Sequence, residues 1–156
     1  MKKAISILMS LIMIIGVGMS EELQVQAEDE ILYVDGSHLL EDETETVGDM
    51  EISTWGYYLQ SGSSTLSEIS SGKIGAGGDT SANRIVDEIS VTVVVQRLVN
   101  GSWQNYLTWS ASKTNAAYVS TSKTLYVPTG YYYRVSCSHY ASTDSGHSYT
   151  DGLYID

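Results

Sequence analysis

Residues 87–110 read DEISVTVVVQRLVNGSWQNYLTWS. A valine-rich run, Ile89 to Val99, meets Asn100-Gly101, and a second run rich in Trp, Tyr and Leu follows. β-Branched and aromatic side chains fit a pleated, half-buried surface. Asn-Gly tolerates the positive φ angles that a type I′ turn needs at both central positions. The stretch therefore predicts a tight hairpin with Leu98 opposite Trp103 and Val94 opposite Leu107. In that register Leu98, Val94, Trp103, Leu107 and Trp109 share one face, because side chains alternate along a strand. Val91, Val93, Val95 and Tyr106 share the other. Both faces are apolar, so alternation alone does not choose the core side.

The same punctuation extends outward. Ile52 to Leu59, Ser64 to Ser70, Lys73 to Ala82, Ala116 to Val127 and Ser148 to Ile155 are further strand-like runs between Gly, Ser, Asn and Pro turns. With the hairpin and GYYYRVSCSHYAS (130–142), this makes about seven short antiparallel strands and no helical period. The pattern predicts an all-β fold, an immunoglobulin/fibronectin-like β-sandwich. One cysteine, Cys137, excludes an internal disulfide and reads as a buried apolar side chain. Along GYYYRVSCSHYAS, Tyr131, Tyr133, Val135, Cys137 and His139 fall on one face. Tyr132, Arg134, Ser136, Ser138 and Tyr140 fall on the other. Tyr133, two residues before an inward Val135, is placed to bond back to the backbone, as a tyrosine does near the start of the sixth strand of such sandwiches.

The N-terminus has another character. Lys2 and Lys3 precede an apolar run from Ala4 to Val17, and Val25-Gln26-Ala27 carries small or β-branched residues before a cleavage point. This order predicts a secretory signal peptide over 1–27, cut after Ala27. The run is shorter than the roughly 20 residues that cross a bilayer, so no stable membrane anchor is expected after cleavage. Residues 28–51 form an acidic N-terminal arm with ten carboxylates and no lysine or arginine. Such a block repels itself and is expected to stay solvated and loosely packed. ILYVDGS (31–37) within it can add one short strand ending in an Asp-Gly turn. The EDETETVGDME spacing is not that of an EF-hand loop. Residues 52–156 form the β-sandwich domain.

The charge restricts partners. Nineteen carboxylates against eight Lys and Arg give −11, with no basic patch. That argues against nucleic acid and against anionic membranes. GAGG at 75–78 precedes no helix, so a phosphate-binding loop has no support, and no cofactor is expected. Cys137 and His139 are too few for a metal site. Asp144-Ser145-Gly146-His147 is a loop rather than a triad, and no nucleophile elbow exists. No catalytic or metal-ligating residue is therefore predicted. The candidate ligand-binding residues are aromatic: Trp55, Tyr58, Trp103, Tyr132 and Tyr140. Exposed rings stack on sugars and pack on proteins, so the expected partner is an extracellular protein or a cell-wall glycan. The expected role is a secreted, non-enzymatic binding module. A small secreted hydrolase with an acidic site is the alternative from another class, and a membrane-active β-protein is a third.

The run from VVVQRLVNGSWQNYLTW through KTLYVPTGYYYRVSCSHYA to the closing YTDGLYI resembles a family of small exported proteins of Gram-positive bacteria, catalogued only as a domain of unknown function. The likeness includes the signal peptide, LYVDGS, the GKI-AGG stretch and GYYYRV, and covers essentially the whole mature chain. It implies secretion and a sandwich, and brings no catalytic or binding residues with it.

Overall fold

The computed structural model describes residues 32–50 and 56–156. The expected signal peptide, and Trp55 among the candidate residues, lie outside them. The valine-rich run belongs to a strand far longer than the sequence suggests. β5 spans Lys73–Val99 and β6 spans Ser102–Tyr126, 27 and 25 residues. Asn100 (φ +51°) and Gly101 (φ +77°) join them, and Val99 pairs with Ser102 and Leu98 with Trp103, as the Asn-Gly signal requires.

Beyond the turn the register departs from expectation. A bulge between Val95 and Gln96 puts Val95 opposite Leu107 and Val93 opposite Trp109. A one-residue slip carries every later side chain to the other face. Leu107 and Trp109 therefore join Val91, Val93 and Val95 on the core side, while Val94 faces Thr108 on the outer side.

Among the described residues, seven more strands complete one nine-stranded sheet. β4 (Leu59–Ser70) pairs with the first half of β5 through a turn at Ser71-Gly72, and β3 (Glu45–Asp49) pairs with β4. β7 (Tyr131–Ala141) pairs with the second half of β5, on the edge that β4 uses earlier. β8 (Asp144–Tyr149) and β9 (Gly152–Ile155) pair with successive parts of β7. β2 (Ser37–Leu40) runs parallel to β9, and β1 (Tyr33–Val34) pairs with β2 across Asp35-Gly36.

The all-β expectation holds. The seven-strand antiparallel sandwich does not describe the pairing: the sheet is single, mixed, and curled into a half-barrel. The curl has a local cause. Pairing of β5 with β6 breaks between Ser81 and Val86, and Asn115 opposite takes φ +49°. At that bend β5 exchanges β4 for β7, and its two halves face one another.

The inner face is the core. Ile74, Ile89, Val91, Val93, Val95, Tyr133, Val135, Cys137, Leu153 and Ile155 are fully buried there. Burying each such aliphatic side chain contributes roughly 1.5–3 kcal/mol. Where β4 crosses β7 the backbones come close, and a Cβ on Gly62 would meet the His139 ring at 2.5 Å. Alanine there has no room unless the ring moves. Tyr133 behaves as read from sequence: its hydroxyl donates to Pro128 O at 2.8 Å, five residues back. Tyr133→Phe is expected to lower stability by about 1 kcal/mol, seen as a lower urea midpoint with an unchanged slope.

The acidic arm is not loose where it is described. It supplies β1, β2 and β3, and Ser37 and Thr46 are buried. Its carboxylates at Asp42, Glu43, Glu45 and Asp49 point to solvent, so charge does not oppose docking. The short strand ending in Asp-Gly is present, with Asp35 at φ +46° and Gly36 at φ +86°. β2 and β3 go beyond that expectation.

Candidate functional site

The outer face of the β4–β5–β6 region is made of small polar side chains. Cross-strand register sets them in rows: Ser63, Asp79 and Ser120; Thr65, Gly77 and Ser122; Ser67, Gly75 and Thr124. Alternation explains the composition. The even-numbered positions of β5, from Ile74 to Ala82, face the core and leave Gly, Asp and Ser outside. Because Gly75 and Gly77 carry no side chain, the middle of this face is sunken. A groove of about 330 Å³ results, floored by Gly77 and Gly78 and walled by Thr65, Asp79, Tyr118, Ser120, Thr121 and Ser122.

The groove presents hydroxyls that both donate and accept, a carboxylate, and a half-exposed ring. Ser63 Oγ donates to Asp79 Oδ2 and orients that carboxylate. Tyr118 is 49% exposed. Thr121 is tied from below, since Trp109 Nε1 donates to its Oγ1 at 3.2 Å. This set suits a polyhydroxylated ligand, with hydroxyls pairing at the floor and an apolar ring face on the tyrosine.

The aromatics expected to bind do not converge. Tyr58 packs edge-on to Tyr57 at 4.8 Å, with Arg84 over both rings, beside the bend in β5. Trp103 donates its indole N–H to Val34 O at 3.1 Å, and Arg134 covers its ring at 4.6 Å. Tyr132 donates to Glu41 Oε1 at 2.6 Å and touches Tyr154. Burial and the Glu41 bond push its phenol up to about 12. Trp103 and Tyr132 thus hold the arm to the sheet. Tyr140 stands exposed on the outer face between Ser90 and Ser145, away from the groove. The groove residues escaped sequence reading because KIGAGGDTS and AYVSTSKT join only when their register is known.

Other reactive side chains are committed elsewhere. His139 is buried, with Nδ1 at 2.8 Å from Thr80 Oγ1 and Nε2 at 2.8 Å from Ser148 Oγ. Cys137 is buried beside it, and burial pushes its thiol up to about 12, against thiolate chemistry. Asp144 is engaged with the backbone: its Oδ2 accepts from Tyr58 N and, at 3.0 Å, from Leu59 N. Those two bonds hold its carboxyl below the usual range. His147 faces Ser138 Oγ at 3.2 Å on the outer surface. Asp144 and His147 therefore point to different partners. Among the described residues no three His, Cys, Asp or Glu side chains gather as a metal site would need.

A family of unknown function, DUF6147, matches residues 25–152, and the chain belongs to it. No curated protein and no solved structure matches.

Proposed function

We propose that the chain is an exported, non-enzymatic binding module whose outer-face groove takes a cell-wall glycan or a similar polyhydroxylated chain. The observation that carries the reading is the groove itself: a glycine floor, a rim of hydroxyls, one oriented carboxylate and the exposed Tyr118 ring. Hydrolysis of a glycosidic bond uses two carboxyl groups flanking it, and the groove lining offers Asp79 alone. That favours binding over the hydrolase reading. Export is supported by the lysine-led apolar N-terminus.

The test is co-sedimentation of the purified protein with bacterial cell walls and insoluble polysaccharides at low and moderate salt. Pelleting that survives salt is expected, because no cation lines the groove to be screened. Tyr118→Ala is expected to weaken retention about tenfold, the 1.4 kcal/mol scale of one stacked ring. Protein that stays in the supernatant at both salts, or a Tyr118→Ala variant that pellets like the parent, would sink the glycan reading. A second reading, an extracellular protein partner, is favoured by one patch. Tyr57 and Ile85 are largely exposed beside Arg84, an aromatic–arginine pairing of the kind that anchors interfaces.

A further inference from the structure

We propose that β6 is the pairing edge of a symmetric dimer, joining two copies of this chain into one continuous sheet. β6 is 25 residues long, roughly 85 Å of strand, and among the described residues it pairs with β5 alone. Its outer edge is a row of backbone donors and acceptors with no strand of the described residues beside it. Edges of this length are normally blunted by proline, dense charge or a cover. Inside β6 there is no proline, and two lysines are its only charges. The other end of the sheet is managed differently. β3 runs against the β8–β9 connection, with Gly48 under the Tyr149 carbonyl and Asp151 N donating to Thr46 Oγ1 at 3.3 Å.

Charge selects the occupant. The chain carries −11, yet no carboxylate occurs between Glu88 and Asp144. A second copy is repelled by the acidic β2–β3 side and meets only Lys113 and Lys123 along β6. The strand is also compatible with itself. Antiparallel pairing over the whole of Ser102–Tyr126 is centred on Thr114. In that register Lys113 faces Asn115 and Ser110 faces Tyr118, and Lys123 lies opposite the stretch around Asn105, so no lysine faces a lysine. The twofold axis is normal to the sheet, so the bend at Asn115 turns both copies the same way. Backbone pairing leaves the outer face open, and the two grooves lie on the same side of the joined sheet. A long glycan can then be held at two points.

Sedimentation equilibrium of the purified protein across micromolar concentrations tests this. The expected mass is twice that of the chain. Thr114→Glu and Thr114→Lys each place like charges across the twofold axis, and each is expected to give monomers. Mixed in equal amounts they are expected to re-form a dimer, since Glu then faces Lys. Glu88 stands opposite Thr114 on β5, so the lysine variant is the better tolerated, and circular dichroism checks that both stay folded. A parent protein that is monomeric throughout overturns the proposal. So does a dimer that survives both substitutions, or a folded pair of variants that stays monomeric on mixing.

Discussion

Arg134→Ala is expected to cost about 3 kcal/mol and to release the β1–β2 hairpin from the sheet. Arg134 lies on the outward side of β7, as alternation requires, yet it is 9% exposed. The hairpin covers it. Its Nε donates to Gln96 Oε1 at 2.8 Å, and one terminal nitrogen donates to Asp35 O at 2.8 Å and Ser37 Oγ at 3.0 Å. The Trp103 and Tyr149 rings lie at 4.6 and 5.3 Å on the guanidinium. Burial lowers its pKa, and Asp35 and Tyr149 oppose that shift. Truncation would leave the Asp35 carbonyl, the Ser37 hydroxyl and the Gln96 amide without this partner and open a void between two rings. Removing one member of a buried charged network costs about 3–5 kcal/mol, and partial water entry at this rim keeps the figure near the lower end. Two readouts separate local from global loss. The urea midpoint should fall, and limited proteolysis should cut first near residues 33–40. Arg134→Lys keeps the charge but not the planar fork, and should recover only part of the loss. Unchanged protease resistance in Arg134→Ala would show that pairing to β9 and the Trp103 and Tyr132 bonds hold the hairpin without Arg134.

The arm shows where sequence reading stops. Ten carboxylates without a counter-ion describe side chains that want water, and the described ones have it. Docking is carried instead by groups that composition does not weigh: the Val34 and Asp35 carbonyls, the Ser37 hydroxyl, Leu39 and Leu40 pairing with β9, and β3 pairing with β4. The partners, Trp103 and Arg134, lie 69 and 99 positions away from the carbonyls they bind. A self-repelling segment and a docked one differ by contacts of that kind, which one linear pattern cannot display.

The hairpin shows the opposite balance. Asn100-Gly101 fixes the turn, and the first pairs follow. The bulge at Val95/Gln96 then reverses the faces. Since both faces of the run are apolar, no polar residue marks the extra position, Tyr106. Strand length was hidden for a similar reason. Lys73 to Ala82 and Ile89 to Val99 read as two separate runs, but β5 passes through both, and Gly78 faces inward where β7 comes close. A Cβ on Gly78 would meet Cys137 Sγ at 2.5 Å. The candidate groove depends on Gly75 and Gly77 lying between rows of hydroxyls, so it was not legible until register joined β4, β5 and β6. The inward row Tyr133, Val135, Cys137 and His139 was legible throughout, because period-two alternation on a central strand needs no distant partner.

Acidification is expected to destabilise the protein between pH 6.5 and 4 through His139, by about 3 kcal/mol in all. The Thr80 hydroxyl donates to Ser90 O at 3.0 Å, so it accepts from His139 Nδ1–H, and Nε2 accepts from the Ser148 hydroxyl. The neutral ring is thereby satisfied at both nitrogens. Burial pushes its pKa down to about 4; Asp79 pulls upward against that, and His147 adds to the lowering. In the unfolded chain the ring titrates near 6.5. Between those values the unfolded state binds the extra proton and the folded state does not, so stability falls as pH falls. The contribution is complete above the unfolded value and is lost by the time pH reaches the folded one. A separation of about 2.5 pH units corresponds to roughly 3 kcal/mol. Asp144, held below the usual carboxylate range, loses its contribution only at lower pH, so the two windows are distinct. Urea midpoints measured from pH 7.5 to 4 should show the slope. His139→Gln keeps hydrogen-bonding capacity but has no proton to gain in this range, so it should be weaker at neutral pH and nearly flat across the window. A parent profile as flat as that of the variant would mean that the folded ring takes up its proton as readily as the unfolded one. The seal formed by Gly62 over the imidazole would then be open in solution, and β4 would not be held against β7.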